Sequence, residues 1–194
     1  MSYVYAFLAL ARAPTPHQAL STYLSGAVTG VVGQFAPQLG WANNEAAVLL
    51  RVSSDVEPGA LTVPDLVTEI RRDRLTPTLR PTDEASPRTG GIYVHRWFEV
   101  EADAADEFVE LSGRGWERFE AQFDTQIFGL FRATRSAADD VAGIQRLLLL
   151  TRYADHGVWE ASRDPTSEAM QIFARRRQLT QRSWAASTLL VPTR

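Results

Sequence analysis

A segment near the start of the chain returns, in altered form, close to its middle. YVYAFLALA (Tyr3–Ala11) aligns with YVHRWFEVE (Tyr93–Glu101), and both segments are rich in β-branched and aromatic residues. A second pair, TLRPT (78–82) and LLVPT (189–193), follows in the same order. Two echoes in matching places indicate that the chain contains two copies of one folding unit, a constraint that few folds satisfy.

Each copy shows the hydrophobic periodicity of two helices and four strands. In the first copy we predict a strand at 3–11, a helix at 17–35, a hairpin around Asn43-Asn44 that ends at Ser54, a helix at 62–73 and a strand at 75–80. In the second copy we predict strands at 92–101, 125–134, 144–153 and 186–192, with helices at 103–123 and 165–184. Both copies therefore follow the order β-α-β-β-α-β, which is that of the ferredoxin-like fold.

The predicted fold class is α+β, with tandem ferredoxin-like βαββαβ repeats that form a fused dimeric α/β barrel. We assign residues 1–82 to the N-terminal half, 83–91 to a linker and 92–194 to the C-terminal half. A four-stranded sheet with both helices on one face leaves its other face bare, and Leu147–Leu150 is apolar on both faces. The simplest arrangement packs the two bare faces together, with a cavity between the sheets.

Composition excludes several classes of protein. The chain has no cysteine, which rules out disulfides, thiolate metal sites and cysteine nucleophiles. Its 20 basic residues are all arginine, which rules out a lysine Schiff base and a P-loop lysine. The three histidines, His17, His95 and His156, lie far apart, so no metal site is predicted. A net charge of −3 gives no basic field that would attract nucleic acid.

The N-terminal segment MSYVYAFLALARA is faintly similar to a secretory signal, but it lacks a basic start and its apolar run is short. No run of about 18 apolar residues is present, so we expect no membrane insertion. We interpret the protein as cytoplasmic.

The strand IYVHRWFEV and its surroundings resemble the NIPSNAP family. The opening strand carries this resemblance through Ile92, Tyr93, Arg96 and Phe98. It is supported by the run from Trp116 to Glu120 and by RLLLLTRYAD (146–155), and it is best across residues 91–194. At two positions, His95 and Trp97, the chain departs from the family's pattern.

The resemblance implies the dimeric α/β-barrel fold and leaves the activity open. Bacterial members of the family mostly have no assigned activity. The broader fold includes cofactor-independent monooxygenases, small-molecule isomerases and haem enzymes, so the fold alone does not select a function.

One face of the strand at 92–101 is aromatic with polar tips, which suits the wall of a cavity. We predict ligand binding by Tyr93, His95 and Trp97, and by Tyr5 and Phe7 on the corresponding face of the first copy. The alternative is that these side chains form the core between the two sheets and that the histidine is satisfied there.

Two neighbouring residues on that strand carry the chemistry that we consider. His95 is the candidate catalytic residue, as a general base whose ordinary pKa is near neutrality. Arg96 lies on the opposite, aliphatic face, where an unpaired charge is costly. It can form an ion pair with a helix carboxylate such as Glu107 or Glu110, or it can bind an anionic ligand, and it is the sixth residue of the predicted ligand-binding set.

Two other features are not expected to form a ligand site. The arginine-rich run ARRRQLTQR (174–182) is typical of a solvated helix face or a subunit contact rather than of a phosphate site. His156 is typical of a loop or the start of a helix, with haem ligation as the alternative.

Three functions remain open from the sequence. The first is a NIPSNAP-like protein that binds a small molecule between the two sheets. The second is a cofactor-independent monooxygenase or isomerase of the α/β-barrel type, and the third is a structural or interaction module with a filled barrel. No cofactor is predicted, and the expected partners are a small-molecule ligand and a second copy of the chain.

Overall fold

The chain forms a mixed structure of eight strands and of α-helices that differ greatly in length. The computed structural model describes residues 2–55, 59, 62–82 and 85–192. The strands are β1 (Ser2–Leu10), β2 (Val31–Leu39), β3 (Glu45–Val52), β4 (Val67–Pro77), β5 (Ile92–Glu101), β6 (Thr125–Ala133), β7 (Ile144–Tyr153) and β8 (Thr180–Val191). The helices are α1 (Pro16–Ala27), α2 (Ala105–Gln122), α3 (Ala137–Ala142), α4 (His156–Ala161), α5 (Glu168–Ile172) and α6 (Ala174–Gln178).

The strands close into one antiparallel barrel in the order β1-β3-β2-β8-β5-β7-β6-β4. Within this ring, β4-β1-β3-β2 and β8-β5-β7-β6 each have the strand order of a ferredoxin-like sheet. The two sheets join where β2 pairs with β8 and where β4 pairs with β6. The predicted fold class, α+β with two ferredoxin-like units fused into one barrel, is confirmed.

The inward faces of the strands form a single aromatic core. An eight-stranded barrel is just wide enough for side chains to fill it. Its contents come from both sheets, and the buried members are Tyr3, Tyr5, Phe35, Ala47, Leu49, Leu75, Tyr93, Trp97, Phe128, Phe131, Ala133, Leu148 and Leu150.

The outward faces are covered by helices, separately for each sheet. On the first sheet, α1 packs Leu20 and Leu24 against Val4, Ala6 and Leu8 of β1. On the second sheet, α2 is the principal cover, and the short helices α5 and α6 lie beside it. Among the described residues, no helix is both long and apolar enough to cross a bilayer.

The predicted helix at 17–35 is too long, because its second part is β2. The helix ends at Ala27, and Gly30 then takes a positive φ of 77°. A Cβ at Gly30 would lie 2.2 Å from the carbonyl oxygen of Arg51, so the backbones approach here as only glycine allows. The Gly30 carbonyl accepts a hydrogen bond from the Arg51 N–H, which leads the chain into the sheet.

The predicted helix at 62–73 is wrong, since residues 67–77 form β4. This strand pairs with β1 from Leu75 opposite Tyr3 to Val67 opposite Leu10. Its backbone groups are needed to continue the sheet around the barrel, and this requirement overrides the helical spacing of Leu66 and Ile70. The described part of the first half therefore has one α-helix rather than two.

The predicted helix at 165–184 is also wrong in its length. The segment contains two short helices, α5 and α6, and Phe173 between them packs into the core. From Thr180 the chain is already β8, where Trp184 pairs with Trp97 of β5. Extending β8 to twelve residues lets it pair with both β5 and β2, and so join the two sheets.

Candidate ligand-binding site

A pocket of about 350 Å³ lies on the outside of the barrel, between the second sheet and its helices. This volume is in the range of small-molecule sites. Strands β5, β6 and β7 form its floor, α2 forms one wall, and the segment from the end of α4 to α6 forms the other wall.

The floor is formed by side chains that point outward from neighbouring strands. Arg96 pairs in register with Leu149, and Thr151 lies opposite both Val94 and Ile127. Side chains directly opposite each other point to the same face of a sheet. The alternation of β5 that turns His95 inward therefore turns Arg96 outward, into the pocket.

The walls are mainly aromatic. Trp116 and Phe119 come from α2, and Phe173 approaches them from the other side. A Cβ at Gly115 would lie 2.3 Å from the Phe173 ring, so the glycine allows this ring to lie directly against α2. Met170 completes an apolar enclosure around the polar groups of the floor.

Arg96 has no hydrogen bond or ion pair to another described residue. Its two predicted partners are engaged elsewhere, because Glu107 pairs with Arg175 at 2.9 Å and Glu110 pairs with Arg114. The expectation of an ion pair with Glu107 or Glu110 is therefore wrong. Burial lowers the pKa of Arg96, the Tyr153 hydroxyl acts in the opposite direction, and the charge of Arg163 lowers it further.

Arg176 brings a second guanidinium to the same pocket. It lies 4.2 Å from the centre of the Phe173 ring and contacts Phe98 and Phe108 at slightly longer distances. Its Nη1 donates a hydrogen bond of 3.3 Å to the Ser112 hydroxyl. Burial, and to a smaller extent the positive charge of Arg96, lowers the pKa of Arg176 to about 9. The interpretation of the whole arginine-rich run as solvated is thus wrong for this residue.

The pocket has a strongly positive character. Arg96, Arg163, Arg176 and Arg177 all line it, and the described residues of its lining include no carboxylate. Tyr153 adds a phenol that stays protonated, since burial raises its pKa. Desolvated cations without a counter-charge are unfavourable, so the site as it stands is complementary to an anion.

The aromatic residues predicted to bind ligand lie together inside the barrel. Tyr5, Tyr93, His95 and Trp97 are buried there, and Phe7 lies at the barrel end against Trp41, with 5.1 Å between ring centres. The Tyr93 hydroxyl donates a hydrogen bond of 2.6 Å to the carbonyl of Arg88. Of the six predicted residues, Arg96 is the one that does not join this group.

His95 is enclosed by rings and has both nitrogens satisfied. Its Nδ1 is 2.9 Å from the Tyr5 hydroxyl, and its Nε2 is 3.0 Å from the Thr188 hydroxyl. Thr188 donates its own proton to the carbonyl of Tyr93 at 3.2 Å. Thr188 must therefore accept from Nε2–H, and Nδ1 accepts from Tyr5. Burial lowers the pKa of His95 to about 3, so the ring is neutral near pH 7.

Most residues of the outer pocket could not be recognised in the sequence. Arg176 was hidden within a run of three arginines, and only the inward spacing of Phe173 could have indicated its direction. Tyr153 belongs to the apolar strand 144–153, where a tyrosine resembles any core residue. Neither residue has a motif that would distinguish it.

The remaining candidates have structural roles. His156 begins α4, and its Nε2 is 3.0 Å from the Ser187 hydroxyl. His17 lies in the first turn of α1, with Nε2 3.0 Å from the carbonyl of Asn43. Within the described ranges, no group of three or more histidine, aspartate or glutamate side chains could hold a metal ion.

The chain is similar to known proteins in structure but not in sequence. No family model matches the chain, and no curated protein matches it. An anthrone oxidase-like protein of known structure has a TM-score of 0.65 at 17% identity, over 98% of this chain and 91% of that protein. A candidate monooxygenase from Fusobacterium nucleatum gives 0.59 at 10% identity, over 98% and 93% of the two chains. One from Lactobacillus acidophilus NCFM gives 0.56 at 13% identity, over 100% and 97%.

These similarities establish the fold. The structural neighbours are ferredoxin-like proteins of the dimeric α/β-barrel type, and they include one from Listeria monocytogenes described as related to antibiotic biosynthesis monooxygenases. They span this chain almost completely, so both halves of the barrel are part of the shared architecture.

Proposed function

We propose that the protein binds a small aromatic acid in the outer pocket, with its anionic group against Arg96 and Arg176. The observation that carries this proposal is the Arg96 guanidinium, which lies in a largely apolar pocket without a partner among the described residues. An anion would supply the missing counter-charge, and arginine offers a planar donor pair that suits a carboxylate or a phenolate.

The apolar walls determine the rest of the ligand. Trp116, Phe119 and Phe173 present ring surfaces on which a planar hydrocarbon can stack. A ligand with a single acidic group at one end and fused rings at the other would satisfy both parts of the pocket. The outer pocket is also the reason why we prefer a binding function to a purely structural module.

Titration with a matched pair of probes tests this proposal. We expect naphthalene-2-carboxylate to bind, measured by calorimetry, and its neutral amide to bind much more weakly. Arg96→Gln should weaken the acid by about thirtyfold, which corresponds to about 2 kcal/mol for a lost charged hydrogen bond. Affinity for the amide should change little, since it has no charge to lose.

The control is Arg175→Gln, which removes an exposed arginine of α6 that neighbours Arg176 in the chain and pairs with Glu107. It should leave the affinity for the acid unchanged. Equal binding of acid and amide to the unaltered protein, or an Arg96→Gln variant that binds the acid normally, would show that the proposal is wrong.

A second candidate is cofactor-independent oxidation of a phenol-like substrate by O₂. It is favoured by the two arginines, which would stabilise the substrate anion that reacts with O₂. The structural neighbours, which include an anthrone oxidase-like protein and candidate monooxygenases, suggest the reaction type. In a balanced form, a ring CH₂ and O₂ give a ring carbonyl and water.

Oxygen uptake with anthrone as the probe tests this second candidate. We expect one O₂ consumed per anthraquinone formed, with no added metal or nucleotide, and loss of the reaction in Arg96→Gln. Binding of anthrone without oxygen uptake would contradict the oxidation and leave the binding proposal intact.

Four finer assignments are also proposals. The resemblance of residues 91–194 supports membership of the NIPSNAP family. Ligand binding by Tyr5, Phe7, Tyr93, His95 and Trp97 inside the barrel stays a prediction, which the same titrations test through His95→Gln. The exposed Leu39 and Leu189, on paired strands β2 and β8, support a homodimer, which light scattering would detect. A cytoplasmic location stays a prediction from the sequence.

A further inference from the structure

A row of oxidisable rings leads from the interior of the barrel to its surface. The Trp97 and Trp184 rings are nearly parallel, at 12°, with their centres 6.3 Å apart. On the inner side, the Trp97 ring is 5.8 Å from Tyr5 in an edge-to-face contact. Trp184 is 42% exposed and Trp97 is 5% exposed, whereas Tyr5 is 1% exposed. The row therefore has one end in solvent and the other at a buried phenol.

The buried end of the row has a proton acceptor in place. Tyr5 donates its hydroxyl proton to Nδ1 of His95 at 2.9 Å, because the other nitrogen carries the proton that Thr188 accepts. A phenol gives up an electron much more readily when its proton can move to a base at the same time. The low pKa of His95 keeps that nitrogen free of a proton at ordinary pH.

We propose that Tyr5, Trp97 and Trp184 form an electron-transfer path that lets a one-electron oxidant at the surface oxidise Tyr5. The oxidant, an oxygen-centred or organic radical, takes one electron from Trp184. That electron is replaced from Trp97, and the electron of Trp97 is replaced from Tyr5. The Tyr5 O–H bond breaks as its proton moves to Nδ1 of His95.

The step balances in electrons and protons. The oxidant gains one electron, Tyr5 becomes a neutral phenoxyl radical, and His95 becomes an imidazolium that still donates Nε2–H to Thr188. A one-electron reductant such as a thiol or ascorbate reverses the sequence through Trp184, and the proton returns to Tyr5. The path would thereby carry oxidising equivalents to a residue that can be repaired.

The charges around the two tryptophans are compatible with a transient positive charge. Arg146 lies 5.7 Å from the Trp97 ring centre, but it is neutralised by Asp73 at 2.9 Å and Asp139 at 3.1 Å. Arg182 lies 5.1 Å from the Trp184 ring centre, and Glu99 is 3.9 Å from that arginine. Each cation therefore has a carboxylate close by.

Flash oxidation of the full chain by photogenerated tris(bipyridine)ruthenium(III) tests the path. Tyr23 is partly exposed and can be oxidised directly, so the experiment uses a Tyr23→Phe background. We expect a tryptophan radical in transient absorption, followed by a tyrosyl radical in electron paramagnetic resonance. Tyr5→Phe should abolish the tyrosyl signal and prolong the tryptophan radical. His95→Gln, which removes the base, should have the same effect.

Trp184→Phe gives a test that does not disturb the core, because its side chain is on the surface. It should lower the tyrosyl yield strongly, whereas the control Trp159→Phe, outside the row, should not. A tyrosyl yield that survives Tyr5→Phe or Trp184→Phe would overturn the proposal. So would a Trp159→Phe variant that loses as much signal as Trp184→Phe.

Discussion

His95 and Arg96 are neighbours in one strand, yet the barrel treats them in opposite ways. His95 points inward, where both of its nitrogens are hydrogen-bonded and its charge is suppressed. Arg96 points outward, into a pocket where it keeps its charge and has no described partner. His95, the candidate general base, thus has all its hydrogen bonds made, whereas Arg96, for which an ion pair and an anionic ligand were both considered, has none to a described residue.

The difference shows that a buried charged side chain without a hydrogen-bond or ion-pair partner is a better indicator of a binding site than a buried side chain whose hydrogen bonds are all made. A buried polar group with all its bonds made stabilises the fold and needs nothing more. A buried charge without a counter-charge lowers stability, and such a group is retained in a fold when a ligand completes it. Mutations inside the barrel should therefore mainly lower the free energy of unfolding. Mutations in the outer pocket should mainly lower the affinity for a ligand.

The largest effect should come from removing the interior histidine. His95→Leu leaves the Tyr5 hydroxyl and the Thr188 hydroxyl short of partners, so we expect a loss of about 4 kcal/mol in the free energy of unfolding. Urea denaturation measures it, with Tyr5→Phe as a milder companion that removes one bond. If His95→Leu lowers the free energy of unfolding less than Tyr5→Phe does, the hydrogen bonds of the histidine do not stabilise the barrel. Affinity at the outer pocket should not change.

The next effect is a dependence of stability on pH. The pKa of His95 is lowered to about 3 in the folded protein, from an ordinary value near 6.5, so the unfolded chain binds more protons between these values. Stability from this group is complete above about pH 6.5 and is lost as the pH falls toward 3. We expect a loss on the order of 3 kcal/mol between about pH 7 and pH 4.

His95→Gln provides the check on that titration. It cannot take up a proton, so it should flatten this part of the pH profile in urea denaturation. A variant that keeps the full slope would assign the pH dependence to other groups.

A smaller effect should come from the wall of the outer pocket. Gly115→Ala places a methyl group against the Phe173 ring, which must move away from α2, and we expect a loss of about 2 kcal/mol in stability. The affinity for an aromatic acid should fall as well. Gly26→Ala on α1 is the matched control, because a Cβ there meets no atom within 4 Å. It should be neutral or slightly stabilising.

The smallest effect has the opposite sign. Arg96→Met keeps a flexible, unbranched apolar side chain and removes a desolvated charge, so the free energy of unfolding should rise by about 1 kcal/mol. Thermal unfolding compares it with Arg175→Met, which breaks an exposed ion pair and should change stability little. A destabilised Arg96→Met would mean that the arginine has a structural partner, and the contrast with His95 would fail.

The sequence was sufficient to predict the repeat, the barrel and the inward face of β5. These follow from local alternation, since Tyr93, His95 and Trp97 repeat the pattern of Tyr3, Tyr5 and Phe7. Residues 28–35, 62–73 and 180–184 could not be assigned in the same way. Their strands are formed by pairing with distant segments, and local spacing contains no record of that pairing.

The candidate site was harder to predict because its residues are distant in the chain. Arg96 was identified as unusual from its position on an aliphatic face. Arg176 was not, because a helix face of three arginines is normally solvated, and only the packing of Phe173 turns one of them inward. Glu107 and Glu110 were also plausible partners for Arg96 in the sequence. The structure shows that Glu107 pairs with Arg175 and Glu110 with Arg114.

The two seams that close the barrel are unequal in length. β2 and β8 are in register at five positions, whereas β4 and β6 are in register at three. Each seam includes one proline, Pro37 or Pro77, which has no N–H to donate, so the shorter seam has fewer remaining bonds. The barrel should open first along β4 and β6, as a local fluctuation that exposes the amides of β6 to solvent exchange well before global unfolding. The barrel is thus closed, but the pairing of β4 with β6 is weaker than the pairing of β2 with β8.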